Sequence, residues 1–490
     1  MIMIGAIIYY VMPKKAQWVI LLCISLAFYY FAAEPLSILY IVFTTTTIYF
    51  SSHAACRLRK RQKYVGGGIT AFAIISNVLL WFALKGVDLW GQFTSYRFSV
   101  ISALGMGYYT LQAIGYLLDC AWGTEEPLKN PLKLFLFLTF FPQLTTGPIS
   151  RFDQLKSLYE PHHFSYQNLT FGAQRILWGF FKKLVLADRL GILVSGLSAQ
   201  SSVFTGFYAW ILLLLFPLQM YLDFSGCMDI VIGTAEIFDI TLPENFRNPF
   251  LSETSREFWT RWHITLGSWA RDYVFYPFLK AEPVVRFSAF LKKHIGKKAG
   301  KFIVTTMASF LLWMVMGIWH GGIRYIVGVS LWYWAVMTLS DGLSPVFSGT
   351  AKKLRINTEA FSWHLFRKIR TYLIYSVGAI FFLAGVQGGF SILSSALSVF
   401  TGGANPWLMT EPGIASFGLT SAEGILLLLG VVGVLAVDLL NEKRGSVRTL
   451  VAGQNLVFRW MLWILLLVLV VICGIYGEGY DASSFIYQGF

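Results

Sequence analysis

The sequence contains few charged residues for its size. Asp, Glu, Lys and Arg make up 13% of its 490 residues, whereas 56% are hydrophobic. Soluble domains carry about 25% charged residues. The composition, with a mean hydropathy of +0.61, therefore excludes an ordinary soluble domain and predicts a polytopic membrane protein.

Cysteine and several familiar catalytic motifs are also scarce. The five cysteines are scattered, with neither a C-x-x-C pair nor a spacing to histidine that is typical of a metal site. The chain contains no G-x-S-x-G, no G-x-x-x-x-G-K-[ST] and no H-E-x-x-H. Hydrolase, nucleotide-driven and zinc-protease functions therefore have no motif support, and we expect no metal ion.

Long apolar runs dominate the sequence. A run of about 17 or more apolar residues predicts a membrane-spanning helix. Four shorter apolar pieces, at 2–12, 171–196, 226–240 and 388–400, are interpreted as re-entrant or interfacial, so we expect eleven to thirteen crossings. The candidate spans lie near residues 16–33, 36–52, 69–86, 99–119, 132–147, 203–222, 302–320, 322–340, 371–387, 422–440 and 456–476.

Positive charge exceeds negative charge and is clustered. The formal net charge is +14, and about half of the 39 Lys and Arg residues fall at 57–63, 286–301, 352–370 and 443–448. Loops rich in Lys and Arg face the cytoplasm, and these clusters lie between predicted spans. We therefore attribute them to membrane orientation and not to nucleic-acid binding.

One apolar run carries a histidine near its centre. Residues 310–334, FLLWMVMGIWHGGIRYIVGVSLWYW, are predicted to fold back at Gly321 and Gly322, next to His320. An ionisable residue within the membrane is a functional candidate, and the near-neutral pKa of imidazole suits a general base. The alternative is a buried histidine that bonds a carbonyl between helices. The positive-inside pattern puts this histidine in the outer half of the membrane.

Two segments combine polar residues with interruptions of an apolar helix. Phe140–Phe152 contains Pro142 and Gly147-Pro148 and predicts a broken or re-entrant element. Residues 219–250 carry several acidic side chains, including Asp223, which either line a polar tunnel or form ion pairs with basic residues downstream.

Two further segments mix aromatic and basic residues. Phe258–Leu279, FWTRWHITLGSWARDYVFYPFL, holds a second histidine, His263. Its pattern fits a helix that lines an aqueous cavity, but taken alone it favours an interfacial aromatic belt. Residues 175–189, RILWGFFKKLVLADR, predict an amphipathic helix in the membrane interface. The adjacent His162 and His163 are interpreted as surface residues of a polar loop.

Four of these segments together resemble a known family. In chain order they are FFPQLTTGPISRF, YLDFSGCMDIVIGTAEIFDITLPENFRNPF, SREFWTRWHITLGSWARDYVFYPF and GIWHGG. They are similar to the membrane-bound O-acyltransferase family, in the bacterial branch with the membrane subunit of alginate O-acetylation and the D-alanyl transfer protein of teichoic-acid modification. The resemblance runs from about Leu104 to Tyr333. The closing FIYQGF, at 485–490, resembles the aromatic tail of alginate-type members.

The resemblance implies a fold. The fold would be an all-α bundle of about 11–13 spans, with re-entrant and interfacial helices around a central funnel or tunnel. We interpret 1–490 as one membrane domain, with N-terminal helices at 1–100, a core with the motifs at 101–340 and C-terminal helices at 341–490.

The same resemblance implies roles for individual side chains. His320 would be the catalytic base, and His263 would be the second histidine of the site. An oxyanion donor would come from His263 or from tryptophan indoles. We assign substrate-binding roles to six further side chains: Asp223, Arg261, Trp262, Trp269, Arg271 and Trp319.

The family chemistry also implies substrates and partners. The donor would be a cytoplasmic thioester, either acetyl-CoA or the phosphopantetheine of an acyl carrier protein, with no cofactor held permanently. The acceptor would be a hydroxyl of an extracytoplasmic polysaccharide or partner acyltransferase, and membrane lipids would surround the helices. A transporter or flippase of an envelope precursor is the competing function, and a non-catalytic scaffold is a third.

The charge clusters predict an orientation. Single cysteines placed at 57–63, 286–301, 352–370 and 443–448 should react with a membrane-impermeant thiol reagent only after the cells are opened, because these clusters are predicted to be cytoplasmic. Labelling of the 286–301 segment in intact cells would overturn the orientation.

Overall fold

A computed structural model of the chain describes residues 2–59, 61–85, 104–199, 206–401, 417–477 and 480. These residues form helices joined by loops, and their β-type pairing is one antiparallel bridge, between Phe246 and Trp262. The all-α prediction is confirmed. The aromatic tail at 485–490 and the start of the predicted span 99–119 lie outside the described residues.

The described residues divide into two compact units that alternate along the chain. The first contains residues from Met1–Gly179 and Cys227–Glu244, and the second contains residues from Phe180–Gly226 and Asn245–Ala482. The three-part division at 1–100, 101–340 and 341–490 stays a prediction.

Among the described residues, seven α-helices precede residue 181. They are α1 (Ile2–Val11), α2 (Gln17–Ala32), α3 (Ile38–Leu58), α4 (Lys63–Lys85), α5 (Met106–Trp122), α6 (Pro131–Thr139) and α7 (Tyr166–Phe180), with short 3₁₀ turns at Lys14–Ala16, Pro35–Ser37 and Asp153–Tyr159.

The part of the chain that the structure describes after residue 180 includes π-helical segments at Phe181–Ala187, Arg271–Phe275 and Ile326–Leu331. A 3₁₀ turn forms at Pro249–Leu251. The α-helices are α8 (Asp188–Ala199), α9 (Gly206–Ile237), α10 (Ser255–Arg261), α11 (Ile264–Ala270), α12 (Tyr276–Lys280), α13 (Glu282–Ile295), α14 (Lys297–His320), α15 (Gly322–Tyr325), α16 (Trp332–Gly342), α17 (Ser344–Lys353), α18 (Phe361–Ser398), α19 (Ser421–Arg444), α20 (Val447–Ala452) and α21 (Leu456–Cys473).

Eight helices of the described chain are long and apolar enough to cross a membrane. The protein is therefore a multi-pass membrane protein. The eight coincide with eight of the eleven spans expected from the sequence. They are Lys14–Ala32, Tyr64–Leu84, Gly206–Ile237, Lys297–His320, Gly322–Gly342, Phe361–Ser398, Ser421–Arg444 and Leu456–Cys473.

The other three expected spans are too polar or too short for that class. Helix α3 contains the run Thr44–Thr47, which lowers its hydropathy, and α5 has 17 residues. Helix α6 ends after nine residues. The chain then runs through an irregular, mostly buried segment that contains Pro142. The broken element predicted for Phe140–Phe152 is thereby confirmed.

The expectation that His162 lies on the surface is wrong. The side chain of His162 is buried, with Nδ1 3.1 Å from a carboxylate oxygen of Asp239 and Nε2 2.6 Å from the carbonyl oxygen of Ser157. His163 is exposed, as predicted. Adjacent residues of a loop point in different directions, and here one of them points into the protein.

The predicted fold-back at the Gly321-Gly322 pair is confirmed. Helix α14 ends at His320, and the two glycines that follow have φ angles of +81° and +70°. Residues with a side chain rarely adopt such positive φ angles, whereas glycine does so at little cost. The two arms pack closely, because a Cβ added at Gly317 would lie 1.9 Å from the hydroxyl oxygen of Ser330.

A second close approach fixes the returning arm against α18. A Cβ at Gly328 would lie 2.6 Å from the carbonyl oxygen of Gly378 and 2.8 Å from Cβ of Phe381. The hydroxyl of Tyr333 donates to the carbonyl of Tyr375 across the same interface at 2.8 Å. Small residues let the backbones approach in this way.

We expect Gly328→Ala to destabilise the protein by about 1–3 kcal/mol, because the added methyl group overpacks this interface. Gly433→Ala in α19 is the matched control, since a Cβ there meets nothing within 4 Å. Thermal unfolding in one detergent would compare the two variants. Equal midpoints would show that the interface relaxes without cost.

Candidate active site

His320 lies at the far end of a long helix from a basic segment. Helix α14 begins at Lys297, and its 24 residues give a length of about 35 Å, close to the thickness of a bilayer core. The imidazole is buried. Its ring centroid lies 4.9 Å from that of Trp319, 5.7 Å from that of Tyr325 and 5.5 Å from that of Phe382.

His263 occupies a short link between α10 and α11. Its φ and ψ are +46° and +50°, a left-handed conformation that is uncommon for a residue with a side chain. The link is held by backbone hydrogen bonds from Arg247 N–H to the Arg261 carbonyl at 2.9 Å and from Ile264 N–H to the Asn245 carbonyl at 3.0 Å. A strained conformation fixed by its surroundings is a feature of functional sites.

The side chain of Asn245 organises the same link. Its Oδ1 accepts hydrogen bonds from the backbone N–H of Thr265 at 3.1 Å and from the Thr265 hydroxyl at 2.9 Å. Nδ1 of His263 lies 3.2 Å from the same oxygen. His263 is 3% exposed, and burial lowers its pKa to about 3. The imidazole is therefore neutral at physiological pH.

The indole of Trp319 lies close to both histidine rings. The centroid of its indole is 6.3 Å from the His263 ring and 4.9 Å from the His320 ring. On another side, the ring of Phe224 in α9 meets His263 edge to face at 4.9 Å. The structure therefore brings together three predicted site residues from two distant segments, His263, Trp319 and His320.

Arg261 and Trp262 lie at the C-terminal end of α10, directly before His263. Trp262 is buried, and its ring centroid lies 4.9 Å from that of Tyr375. The guanidinium of Arg261 lies 2.8 Å from a carboxylate oxygen of Glu257 and 2.8 Å from one of Glu442. Two carboxylates thus offset its positive charge, and a role of Arg261 in binding substrate stays a prediction.

Asp223 forms part of a buried ion cluster. The ammonium of Lys183 lies 2.7 Å from Asp223 Oδ1 and 2.8 Å from Asp188 Oδ1. Of the two possibilities left open for Asp223, the ion pair is observed, but its basic partner lies upstream in the chain and not downstream. Asp223 directly precedes Phe224, so this cluster fixes the part of α9 that contacts His263.

The interfacial helix predicted for 175–189 is wrong. Lys182, Lys183 and Arg189 are buried, and their segment is π-helical at Phe181–Ala187. The ammonium of Lys182 donates to the hydroxyl of Ser225 at 2.8 Å. Sequence periodicity showed a basic stripe, but it could not show that carboxylates and hydroxyls of α9 face that stripe.

Trp269 and Arg271 are placed by local contacts. Trp269 is buried, with its ring centroid 5.5 Å from that of Tyr273. The Arg271 side chain is half exposed and pairs with Asp272 at 3.1 Å. In the described ranges no three His, Cys, Asp or Glu side chains group closely enough to hold a metal ion.

Sequence reasoning missed three residues of the site, Asn245, Phe224 and Lys183. Asn245 stood in the sequence as part of a turn-rich segment that ends a helix. Its role depends on a contact with residues 263–265. The sequence shows an asparagine 18 positions before a histidine, and this spacing does not indicate that the two side chains are in contact.

Comparison with known proteins identifies the family. The family model described as MBOAT, membrane-bound O-acyltransferase family, matches residues 128–291. The teichoic acid D-alanyltransferase of Bacillus subtilis (strain 168) is 30% identical over 298 residues, which are 57% of this chain and 70% of that protein. The chain belongs to the membrane-bound O-acyltransferase family.

Two other relatives widen the comparison. The probable alginate O-acetylase of Pseudomonas syringae pv. tomato is 30% identical over 284 residues, 58% of this chain and 49% of that protein. The peptidoglycan O-acetyltransferase of Helicobacter pylori is 28% identical over 249 residues, 45% of this chain and 44% of that protein. The chain spans about half the length of the alginate relative. The matched family segment includes His263 and ends before His320.

We expect Lys183→Met to destabilise the protein by about 3–5 kcal/mol, because the carboxylates of Asp188 and Asp223 would stay buried without their cation. Lys292→Met on α13 is the control, since that side chain is exposed. Thermal unfolding of both variants measures the difference. The double variant Lys183→Met/Asp223→Asn should recover part of the loss, and an unchanged midpoint for Lys183→Met alone would contradict the assignment.

Proposed function

We propose that this chain moves an acyl group, acetyl in the simplest case, from a cytoplasmic thioester to a hydroxyl outside the membrane, with His320 as general base. The proposal rests chiefly on one observation: two buried imidazoles lie close to the indole of Trp319, at the end of a span that begins in a basic segment. Family membership supports it, and so do the relatives, which are named as O-acetylating and D-alanylating enzymes.

The chemical step needs one base and no covalent enzyme intermediate. The acceptor hydroxyl oxygen attacks the thioester carbonyl carbon while Nε2 or Nδ1 of His320 removes the hydroxyl proton. The tetrahedral intermediate then expels the thiolate, which takes that proton from the imidazolium. The products are an ester and a free thiol. A positioned base contributes about 10²–10⁴-fold to such a rate.

The donor would approach from the basic end of α14. Helix α13 and the start of α14 expose Arg286, Lys292, Lys293 and Lys297, and ammonium and guanidinium groups bind phosphates through charge-assisted hydrogen bonds. Both acetyl-CoA and an acyl carrier protein's phosphopantetheine present such phosphates. Because Arg261 is already paired with two carboxylates, these exposed residues are the better candidates for donor binding.

The acceptor would be reached from the His320 end. The relatives named for alginate, teichoic acid and peptidoglycan suggest an envelope polysaccharide or teichoic acid as the class of acceptor, received directly or through an extracytoplasmic acyltransferase. The basic end of the span would thus bind the phosphates of the donor, and the thioester would meet the acceptor hydroxyl beside His320.

One observation favours the competing transport function. The buried cluster of Lys183, Asp188 and Asp223 places ionisable groups within a helical membrane protein, as transporters do. Thioester consumption separates the two functions. Purified protein that moves an envelope precursor across vesicles and leaves acetyl-CoA and acetyl carrier protein intact would establish transport.

We expect His320→Ala and His320→Gln to fold and to bind donor, but to lose about 10²–10⁴-fold in acyl transfer, because a general base acts on the acceptor proton and contributes little to donor binding. Release of free thiol from acetyl-CoA and from acetyl carrier protein measures turnover. Donor binding is measured separately.

The control is His163→Gln, since His163 is exposed and outside the site. It should keep parent activity. Glutamine is close to histidine in size and forms hydrogen bonds, but it takes up no proton. Recovery of activity in His320→Gln would therefore show that His320 is structural, and the general-base assignment would fail.

A further inference from the structure

We propose that Asn245 is a positioning residue that holds His263 in a single tautomer, with its proton on Nδ1, so that Nε2 accepts a hydrogen bond from a hydroxyl or N–H group of the substrate. This inference rests on the proposed function for its substrate. Its structural part, the tautomer, is independent of which acyl group is moved.

The orientation of the Asn245 amide follows from Thr265. The oxygen and nitrogen of an asparagine side chain are distinguished by their hydrogen bonds. The backbone N–H of Thr265 can only donate, and the Asn245 atom 3.1 Å from it must therefore be the oxygen. The Thr265 hydroxyl donates to the same atom at 2.9 Å. Asn245 is fully buried, so water does not compete for these bonds.

The tautomer of His263 follows from that orientation. An amide oxygen can only accept, so Nδ1 of His263, 3.2 Å away, must carry a proton. A neutral imidazole has one N–H, and Nε2 therefore presents a lone pair. Burial keeps the ring neutral, because it disfavours the charged form.

The Nε2 atom of His263 is the ring nitrogen that no group of the described chain satisfies. Nε2 is buried and has no hydrogen-bond partner among the described residues. A buried polar atom of this kind calls for an explanation, and a substrate donor supplies one. The ring centroids of Phe224 and Trp319 lie 4.9 and 6.3 Å from that of the imidazole, so the rest of its near surroundings is largely aromatic.

The proposed tautomer changes the role expected for His263. An unprotonated Nε2 cannot donate to an oxyanion, so oxyanion stabilisation falls to other groups, such as indole N–H groups. Nε2 of His263 would instead accept a hydrogen bond from the acceptor hydroxyl, or from an N–H group of the donor, and so orient that group.

The charged groups near His263 are paired or lie behind other residues. Asp223, next to Phe224, pairs with Lys183. Arg261, two residues before His263, pairs with Glu257 and Glu442. His320 lies next to Trp319, with ring centroids 4.9 Å apart. A new carboxylate at position 245 would therefore be the nearest charge to the ring.

Nitrogen NMR tests the tautomer directly. The full chain, labelled with ¹⁵N-histidine and held in nanodiscs, has seven histidines, and the His263 signals are identified by their loss in His263→Gln. We expect a protonated Nδ1 and an unprotonated Nε2 near neutral pH. A protonated Nε2 would overturn the proposal, whether or not the protein consumes thioester.

Two variants of Asn245 test the positioning role. Asn245→Leu removes the acceptor and should abolish the single tautomer and lower turnover on the order of 10-fold or more, as loss of partners that orient functional histidines does. Asn245→Asp keeps the acceptor and should keep the tautomer. The new carboxylate would accept hydrogen bonds from the backbone N–H and hydroxyl of Thr265 and from Nδ1–H of His263. Three donors favour its ionised form, and the negative charge should raise the pKa of His263.

The pH profile then separates positioning from packing. A raised pKa means that the ring of the Asn245→Asp variant gains a proton at higher pH, so the acidic limb of its rate profile should shift upward while activity above that limb is retained. Asn248→Asp is the control, since Asn248 donates to Glu442 at 3.1 Å in the same loop. An identical shift in both variants, or no shift in either, would refute the positioning role.

Discussion

Two backbone hydrogen bonds between distant loops set the position of the second histidine. Arg247 and Asn245 bond the chain on either side of His263, at 2.9 and 3.0 Å, and the residue adopts a left-handed conformation between α10 and α11. Without this pairing the imidazole would have no fixed direction, because a left-handed residue with a side chain is unfavourable by itself. The approach of His263 to Trp319 depends on it.

Close helix packing positions the other histidine. His320 is the last residue of α14. The return arm can approach α14 only because Gly317 has no side chain, and it can approach α18 only because Gly328 has none. Dispersion and backbone proximity drive such packing in a membrane, where the lipid is as apolar as the helix surfaces. The polar site is therefore built on an apolar frame of aromatic rings and glycines, in which each ring has few alternative positions.

The buried ion cluster of Lys183, Asp188 and Asp223 determines how α9 packs, and it is not part of the proposed chemistry. Burying Lys183 between Asp188 and Asp223 contributes little net stability compared with apolar residues of similar shape. It does specify which turn of α9 faces the π-helical segment Phe181–Ala187. Since Phe224 follows Asp223, that choice also sets the wall of the His263 environment.

Parts of this picture followed from the sequence alone. The low charge content and the long apolar runs determined a helical membrane protein, and the Gly321-Gly322 pair after His320 determined where its helix turns back. These are local properties, because hydropathy over about 20 residues decides insertion and glycine alone tolerates such turns. Four ordered motifs were enough to indicate the family.

Only the tertiary structure decided which polar groups meet. The basic stripe at 175–189 has the pattern of an interfacial helix, yet Lys183 is buried because carboxylates on α8 and α9 face it. Asn245 and His263 are 18 positions apart, and neither is recognisable as the other's partner in the chain. Helical periodicity gives the face of a residue but not the element opposite that face, which depends on how helices distant in sequence pack together.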